Sequence, residues 1–254
     1  MYVAQLPIAL QMFTLREETK EDFVGTLKKV KELGYDGVEF AGFGGLEAAE
    51  LKGILEDIDL KPFSSHVGIE LLEKDAEEII AYHKELGVET IVIPYLVPER
   101  RASKEDYLKL AESLNHYGEK VKEAGMQLCY HNHDFEFEKY DGEYGLDIIF
   151  SNTNPEYVQV ELDTFWAEFA GVSAVDYMDK YKGRLPLAHI KDMVTTPKKT
   201  FAEVGEGVLD IKAITSAAEE AGAKRLIVEQ DVCQRPPLES VEISIGNLKR
   251  ILGR

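Results

Sequence analysis

Residues 19–40, TKEDFVGTLKKVKELGYDGVEF, hold one complete copy of the pattern that decides the fold. Phe23, Leu27, Val30 and Leu33 fall at i, i+4, i+7 and i+10, which is one face of an amphipathic helix. Thr19 with Asp22 reads as an N-cap with an acidic first turn, and Gly34 stands where a residue just past a helix end belongs. The helix runs straight into a short apolar segment, YDGVEF (35–40), and another, LPIALQMF (6–13), precedes it. Strand, helix, strand in that order is the unit that makes neighbouring strands parallel, because a parallel pair needs a long crossover.

Outward from this unit the pattern repeats. Further strand-like runs are LKPFSSH (60–66), ETIVIPY (89–95), MQLCYHNH (126–133), YVQVELDTF (157–165), PLAHIKD (186–192) and RLIVEQD (225–231), eight in all. Helical periodicity lies between and after them, near Leu46–Glu56, Lys74–Leu86, Lys104–Ala124, Gly145–Ser151, Ser173–Tyr181, Asp210–Ala221 and Leu238–Leu252. Eight alternations with no Gly-rich phosphate fingerprint after the first strand predict an α/β fold of the closed (β/α)8 TIM-barrel kind rather than a doubly wound open sheet. No linker or composition shift divides the chain, so residues 1–254 read as a single domain. Polar stretches near Glu99–Asp106 and Thr195–Gly207 read as long loops at the barrel mouth, where active sites of such barrels are built.

Composition narrows the function classes. With 44% hydrophobic and 30% charged residues, and no window near the ~18 unbroken apolar residues of a membrane span, the chain reads as a globular protein with no membrane partner. MYVAQLPIALQMFTLREE lacks the basic start and small-residue cleavage site of a secretory leader, so a cytoplasmic location is expected. Cys129 and Cys233 are too few for a disulfide framework and read as reduced thiols. A formal charge of −18 repels phosphate backbones, and no nucleic-acid partner is expected.

Polar side chains in strands that ought to be apolar are costly unless they are satisfied, and in barrels the satisfied ones gather at C-terminal strand ends. Four consecutive runs end in such residues. Cys129, His131 and His133 share one face of the fifth, with Asn132 on the other; Glu161 and Asp163 share a face of the sixth. His189 and Lys191 follow in the seventh, Glu229 and Asp231 in the eighth. Two imidazoles and two carboxylates suit Mn, Zn, Co or Fe better than Ca, with Mg also admissible. One divalent ion, Mn²⁺ first, is therefore expected on His131, Asp163, His189 and Glu229, with His133 as the alternate ligand from the fifth strand. Glu229, His131 and Lys191 are the catalytic candidates: Glu229 as general base, Lys191 with His66 steadying a developing oxyanion. His66, Glu39, His133, Glu161 and Trp166 are the candidates for contact with substrate, Trp166 reading either as packing at the barrel rim or as an apolar wall for a sugar ring. His83 and His116, inside helical segments with charged neighbours, are expected to be exposed and idle.

YHNHDFEF, VELDTFWAEFAG, LAHIKDM, VGEGVLDI and IVEQD together resemble the xylose isomerase-like barrels of the sugar phosphate isomerase/epimerase superfamily, a resemblance running the length of the chain. It implies the fold strongly and the reaction weakly. In the epimerase branch a single metal is held by Glu, Asp, His and Glu from strands five to eight. Asp163, His189 and Glu229 match the last three, whereas His131 replaces the first Glu, so the two-carboxylate proton transfer of that branch is not reproduced. The histidines of the fifth strand are instead similar to inosose dehydratase, a lyase. The resemblance thus implies a metal-dependent isomerase or epimerase working on a small ketose or keto-sugar, or a lyase eliminating water from a ketocyclitol or keto-sugar. Homo-oligomers are expected at the same level. An apurinic-site endonuclease would need more metal-binding side chains and a less acidic surface, and a barrel that binds sugar without turning it over would not need the Asp, His and Glu set.

Overall fold

The computed structural model describes residues 6–254; the first five residues of the expected domain and leader reading lie outside them. Eight strands form the barrel: β1 (Ile8–Gln11), β2 (Gly37–Phe40), β3 (Lys61–His66), β4 (Thr90–Ile93), β5 (Gln127–His131), β6 (Val158–Asp163), β7 (Leu187–Ile190) and β8 (Arg225–Val228). Every neighbouring pair is parallel, and β1 closes the ring by pairing with both β2 and β8, Ala9 opposite Gly37 and Ile8 opposite Leu226. The expected TIM barrel is the observed one. Eight helices pack outside: α1 (Phe23–Glu32), α2 (Ala48–Asp57), α3 (Ile69–Leu86), α4 (Lys104–Glu123), α5 (Gly145–Ser151), α6 (Ala174–Lys180), α7 (Ile211–Ala221) and α8 (Pro237–Ile251).

Two apolar layers follow from strand periodicity. Residues facing outward, such as Ile8, Leu10, Val38, Ile91 and Leu128, meet the helices in one continuous core. Facing inward, Ala9, Phe63, Val92, Cys129, Leu187 and Ile227 plug the lower barrel as a separate cluster. Two residues further along their strands, on the same inward face, stand Gln11, His131, His189 and Glu229. The interior therefore changes from apolar to polar at one level. Gly37 is required in the lower layer, because a Cβ there would sit 2.5 Å from the Lys61 carbonyl and 2.4 Å from the Phe63 ring.

Some boundaries depart from expectation. The first helical segment is two helices, Arg16–Glu21 and α1; Asp22, not Thr19, is the cap of α1, its carboxylate accepting the Gly25 amide at 2.8 Å. Gly34 does adopt φ +92°. α3 starts at Ile69 and is broken at Asp75 (φ −155°), whose side chain recaps the second half. A six-residue helix, Thr164–Phe169, follows β6 directly, and the polar stretch 195–207 carries half of an antiparallel ribbon pairing Asp192–Val194 with Thr200–Ala202. His83 is buried rather than exposed: its ring lies against Phe43 and Tyr82 and its Nδ1 donates to the Ile79 carbonyl at 2.7 Å. His116 is exposed. Both cysteines are free. No helix among the described residues is long and apolar enough to cross a membrane.

Candidate metal and substrate site

The polar half of the interior is two clusters that share His189. In the upper one, His131, Asp163, His189 and Glu229 each offer one donor atom, all within 4.8 Å of one another. His131 Nε2 lies 3.2 Å from Asp163 Oδ2; His189 Nδ1 lies 3.7 Å from that oxygen and 3.0 Å from Glu229 Oε2. Ligands about 2.1 Å from a common ion stand at such separations from one another, and the two-nitrogen, two-oxygen set is one that Zn or Mn accepts. The residues present fit a divalent ion.

Each donor is aimed by its neighbours. Asp163 ends β6 and caps the next helix, Oδ1 accepting the Trp166 amide at 2.9 Å, which turns Oδ2 toward the cluster. Asn132 ties the end of β5 to β6 by accepting the Asp163 amide at 2.9 Å. His131 Nδ1 faces the Pro94 carbonyl at 3.2 Å, leaving Nε2 for the cluster. His189 Nε2 faces Glu39 Oε1 at 2.7 Å, so a proton on Nε2 leaves Nδ1 free to donate its lone pair, the usual arrangement for a histidine ligand.

The lower cluster, Glu39, His66, Glu161 and His189, lies beneath. His66 Nε2 bridges Glu39 at 2.9 Å and Glu161 at 3.0 Å. Gln11 and Ser64 donate to the two oxygens of Glu39 at 2.7 and 2.6 Å. Burial opposes charge on His66, but Glu39 and Glu161 outweigh it and lift its pKa to about 10. Burial likewise opposes ionisation of Asp163 and Glu229, and Lys191 together with His131 and His189 outweighs it, holding both carboxyls well below the usual range.

A cavity of about 390 Å³ opens above, lined by Phe13, Ala41, His66, Pro94, Tyr95, His131, His133, Glu229 and Asp231. Of the expected substrate contacts, His66 and His133 reach it. Glu39 and Glu161, expected to contact substrate, are fully buried below it, and Trp166 packs behind His133 at 5.4 Å against Phe165, Phe169 and Phe201. His133 lies beyond the strand end, its ring stacked on Phe135, and joins neither cluster. Lys191 is buried, its Nζ bonded to Asp163, Glu229 and Asp231.

Sequence reading missed the partners one step removed. Gln11, Ser64 and Asn132 carry no signal at their own positions. Asp192 does, standing beside Lys191 before two closely spaced glycines: its carboxylate accepts the amides of Met193, Gly205, Gly207 and Leu209 at 2.8 to 3.1 Å and clasps the loop that follows β7.

Comparison with known proteins agrees with the fold. A family profile described as xylose isomerase-like TIM barrel matches residues 27–251. An inosose dehydratase from Lacticaseibacillus casei is 25% identical over 154 residues, covering 53% of this chain and 51% of its own, so the match spans about half the length of that relative. The crystal structure of a sugar phosphate isomerase/epimerase from Parabacteroides distasonis superposes with a TM-score of 0.84 at 25% identity, covering 98% of this chain and 96% of that one. The IOLI protein, solved with a bound zinc atom, superposes with a TM-score of 0.77 at 16% identity, covering 98% of both chains.

Proposed function

We propose that this chain, which belongs to the xylose isomerase-like TIM barrel family, is a divalent-metal-dependent isomerase or epimerase that removes the proton beside the carbonyl of a ketose or keto-sugar. The observation carrying this reading is the convergence of four donor atoms from β5, β6, β7 and the residue after β8 at the floor of an open cavity. The zinc atom of the IOLI protein, whose fold is shared, supports a metal here. His131 Nε2, Asp163 Oδ2, His189 Nδ1 and Glu229 Oε2 would hold the ion, which when bound supplies Lewis-acid polarisation of a carbonyl.

The rest falls to the chain's own side chains. Glu229 engages its neighbours through Oε2, leaving Oε1 to take the proton from the carbon beside the carbonyl. His66, at the cavity floor, places positive charge near the oxygen on which negative charge grows. Glu39 and Glu161 orient His189 and His66 and touch nothing in the cavity. No Lys or Arg is among the residues lining it, which favours a neutral sugar over a phosphorylated one.

A second reading, elimination of water from a ketocyclitol or keto-sugar, is favoured by one observation: β5 brings an imidazole where a second carboxylate would serve the opposite face of the carbon. The first step is shared; expulsion of the β-hydroxyl then replaces return of the proton. Incubation with ketoses, ketocyclitols and 3-keto-glucosides plus Mn²⁺ in D₂O, followed by NMR, tests both. Deuterium uptake with a rearranged sugar is expected for the first reading, alkene or diketone signals for the second. Turnover that persists after complete metal removal by EDTA overturns the metal reading.

A further inference from the structure

The oxygens proposed for the ion are already occupied by a cation of the chain itself. Lys191 Nζ lies 2.8 Å from Asp163 Oδ2 and 2.5 Å from Glu229 Oε2, and its third partner is Asp231 Oδ2 at 2.7 Å. These are the same two oxygens that face His131 and His189. A divalent ion about 2.1 Å from both would stand against the ammonium, in a place where water screens little of the repulsion. The two cations compete for one pair of carboxylates. Asp231 differs from that pair: its side chain is 20% exposed and it lines the cavity, whereas Lys191 is buried and does not.

We propose that Lys191 and a divalent ion exclude one another at Asp163 and Glu229, and that Asp231 keeps the ammonium when the ion enters. The proposal rests on the metal reading of the site. Two consequences follow. Without the ion, Lys191 neutralises two buried carboxylates that would otherwise oppose folding. With it, the ammonium is left on a carboxylate of the cavity wall, so loading the metal also delivers a hydrogen-bond donor to the substrate space.

Calorimetric titration with Mn²⁺ of the wild type, Lys191→Met, Asp231→Asn and the double variant tests this, circular dichroism confirming that each is folded. With its competitor gone, Lys191→Met should bind at least about tenfold tighter. Asp231→Asn should weaken binding about fivefold when Lys191 is present and less than twofold when it is absent, the signature of coupled residues. Should the Met variant not fold, Lys191→Gln keeps an N–H donor and takes its place. Amine-labelling mass spectrometry gives a second readout on the wild type, where Lys191 should label faster with Mn²⁺ than without. An unchanged or weaker affinity in Lys191→Met, an Asp231→Asn effect indifferent to Lys191, or labelling that Mn²⁺ does not alter overturns the exclusion. No Mn²⁺ binding by any of the four proteins overturns the metal reading instead.

Discussion

His189 shows how a single side chain divides its work. Nδ1 faces the proposed ligands and Nε2 faces Glu39, so the buried carboxylate decides which nitrogen carries the proton. Glu39→Gln keeps the shape but gives up the charge, and partners of this kind are worth about 10- to 100-fold in metal affinity. Calorimetry with Mn²⁺ should show a loss of that order for Glu39→Gln and no measurable tight site for Asp163→Ala; an unchanged affinity in either removes that residue from the account. His83 makes a different prediction. Burial depresses its pKa below the ordinary 6.5 despite the bond to Ile79, so near pH 6 the unfolded chain takes up a proton that the folded one refuses. Its contribution to stability is complete above the unfolded pKa and is lost as pH falls through it. Between pH 7 and 5, denaturant unfolding of His83→Phe should lose stability less steeply than the wild type, by up to about 1 kcal/mol per pH unit. The charged neighbours of His83 along the chain suggested exposure, but on a helix residues three and four apart share a face, and those around it on that face are Ile79, Ile80 and Leu86.

The barrel strands and most helices were legible because each strand is a short apolar run and each helix keeps one apolar face, patterns local enough to survive without tertiary information. The candidate donors were legible for the complementary reason: a charged residue on the inward face of such a run must be answered by others. Harder to read were strand ends. The fifth run looked like strand through His133, yet the ladder stops at His131, where Asn132 turns its side chain to the end of β6. The helix Thr164–Phe169 was hidden because Asp163, read as a ligand, is also its cap. The stretch after β7 reads from its sequence as a long polar loop at the barrel mouth, which leaves out the four amides that Asp192 gathers from it across up to seventeen residues of chain. Asp192→Ala leaves those amides short of an acceptor and should cost roughly 3 kcal/mol, with faster proteolysis within residues 200–209. Gly207→Ala attacks the same clasp from the other side, since a Cβ there would lie 2.1 Å from Asp192 Oδ1. Because both changes disable one device, the double variant should lose little more than the worse single in urea unfolding. Additive losses would mean that the loop is held by something else.

At the scale of the whole molecule, the site is the closed barrel. The proposed donors and the residues that aim them are drawn from β1, β2, β3, β5, β6 and β7 and from the segment after β8, spanning Gln11 to Glu229 along the chain, so no fragment assembles them. Closure is reinforced where the ends meet: the Tyr35 hydroxyl donates to the Val241 carbonyl at 2.8 Å and Lys249 Nζ to the Gly34 carbonyl at 2.6 Å, sealing α8 over the first unit. An ion bound by such a site binds the folded chain alone, and its binding energy becomes folding energy. At Mn²⁺ 100-fold above its Kd the gain is about 2.7 kcal/mol. For a domain of this size each kcal/mol moves Tm by about 2 to 4 °C, so Mn²⁺ should raise the melting temperature by roughly 5 to 10 °C in calorimetry and EDTA should return it. Asp163→Ala should melt at one temperature whether Mn²⁺ or EDTA is present. A wild-type transition equally indifferent to both would mean that the upper cluster is held together by its own ion pairs, and would overturn the metal reading.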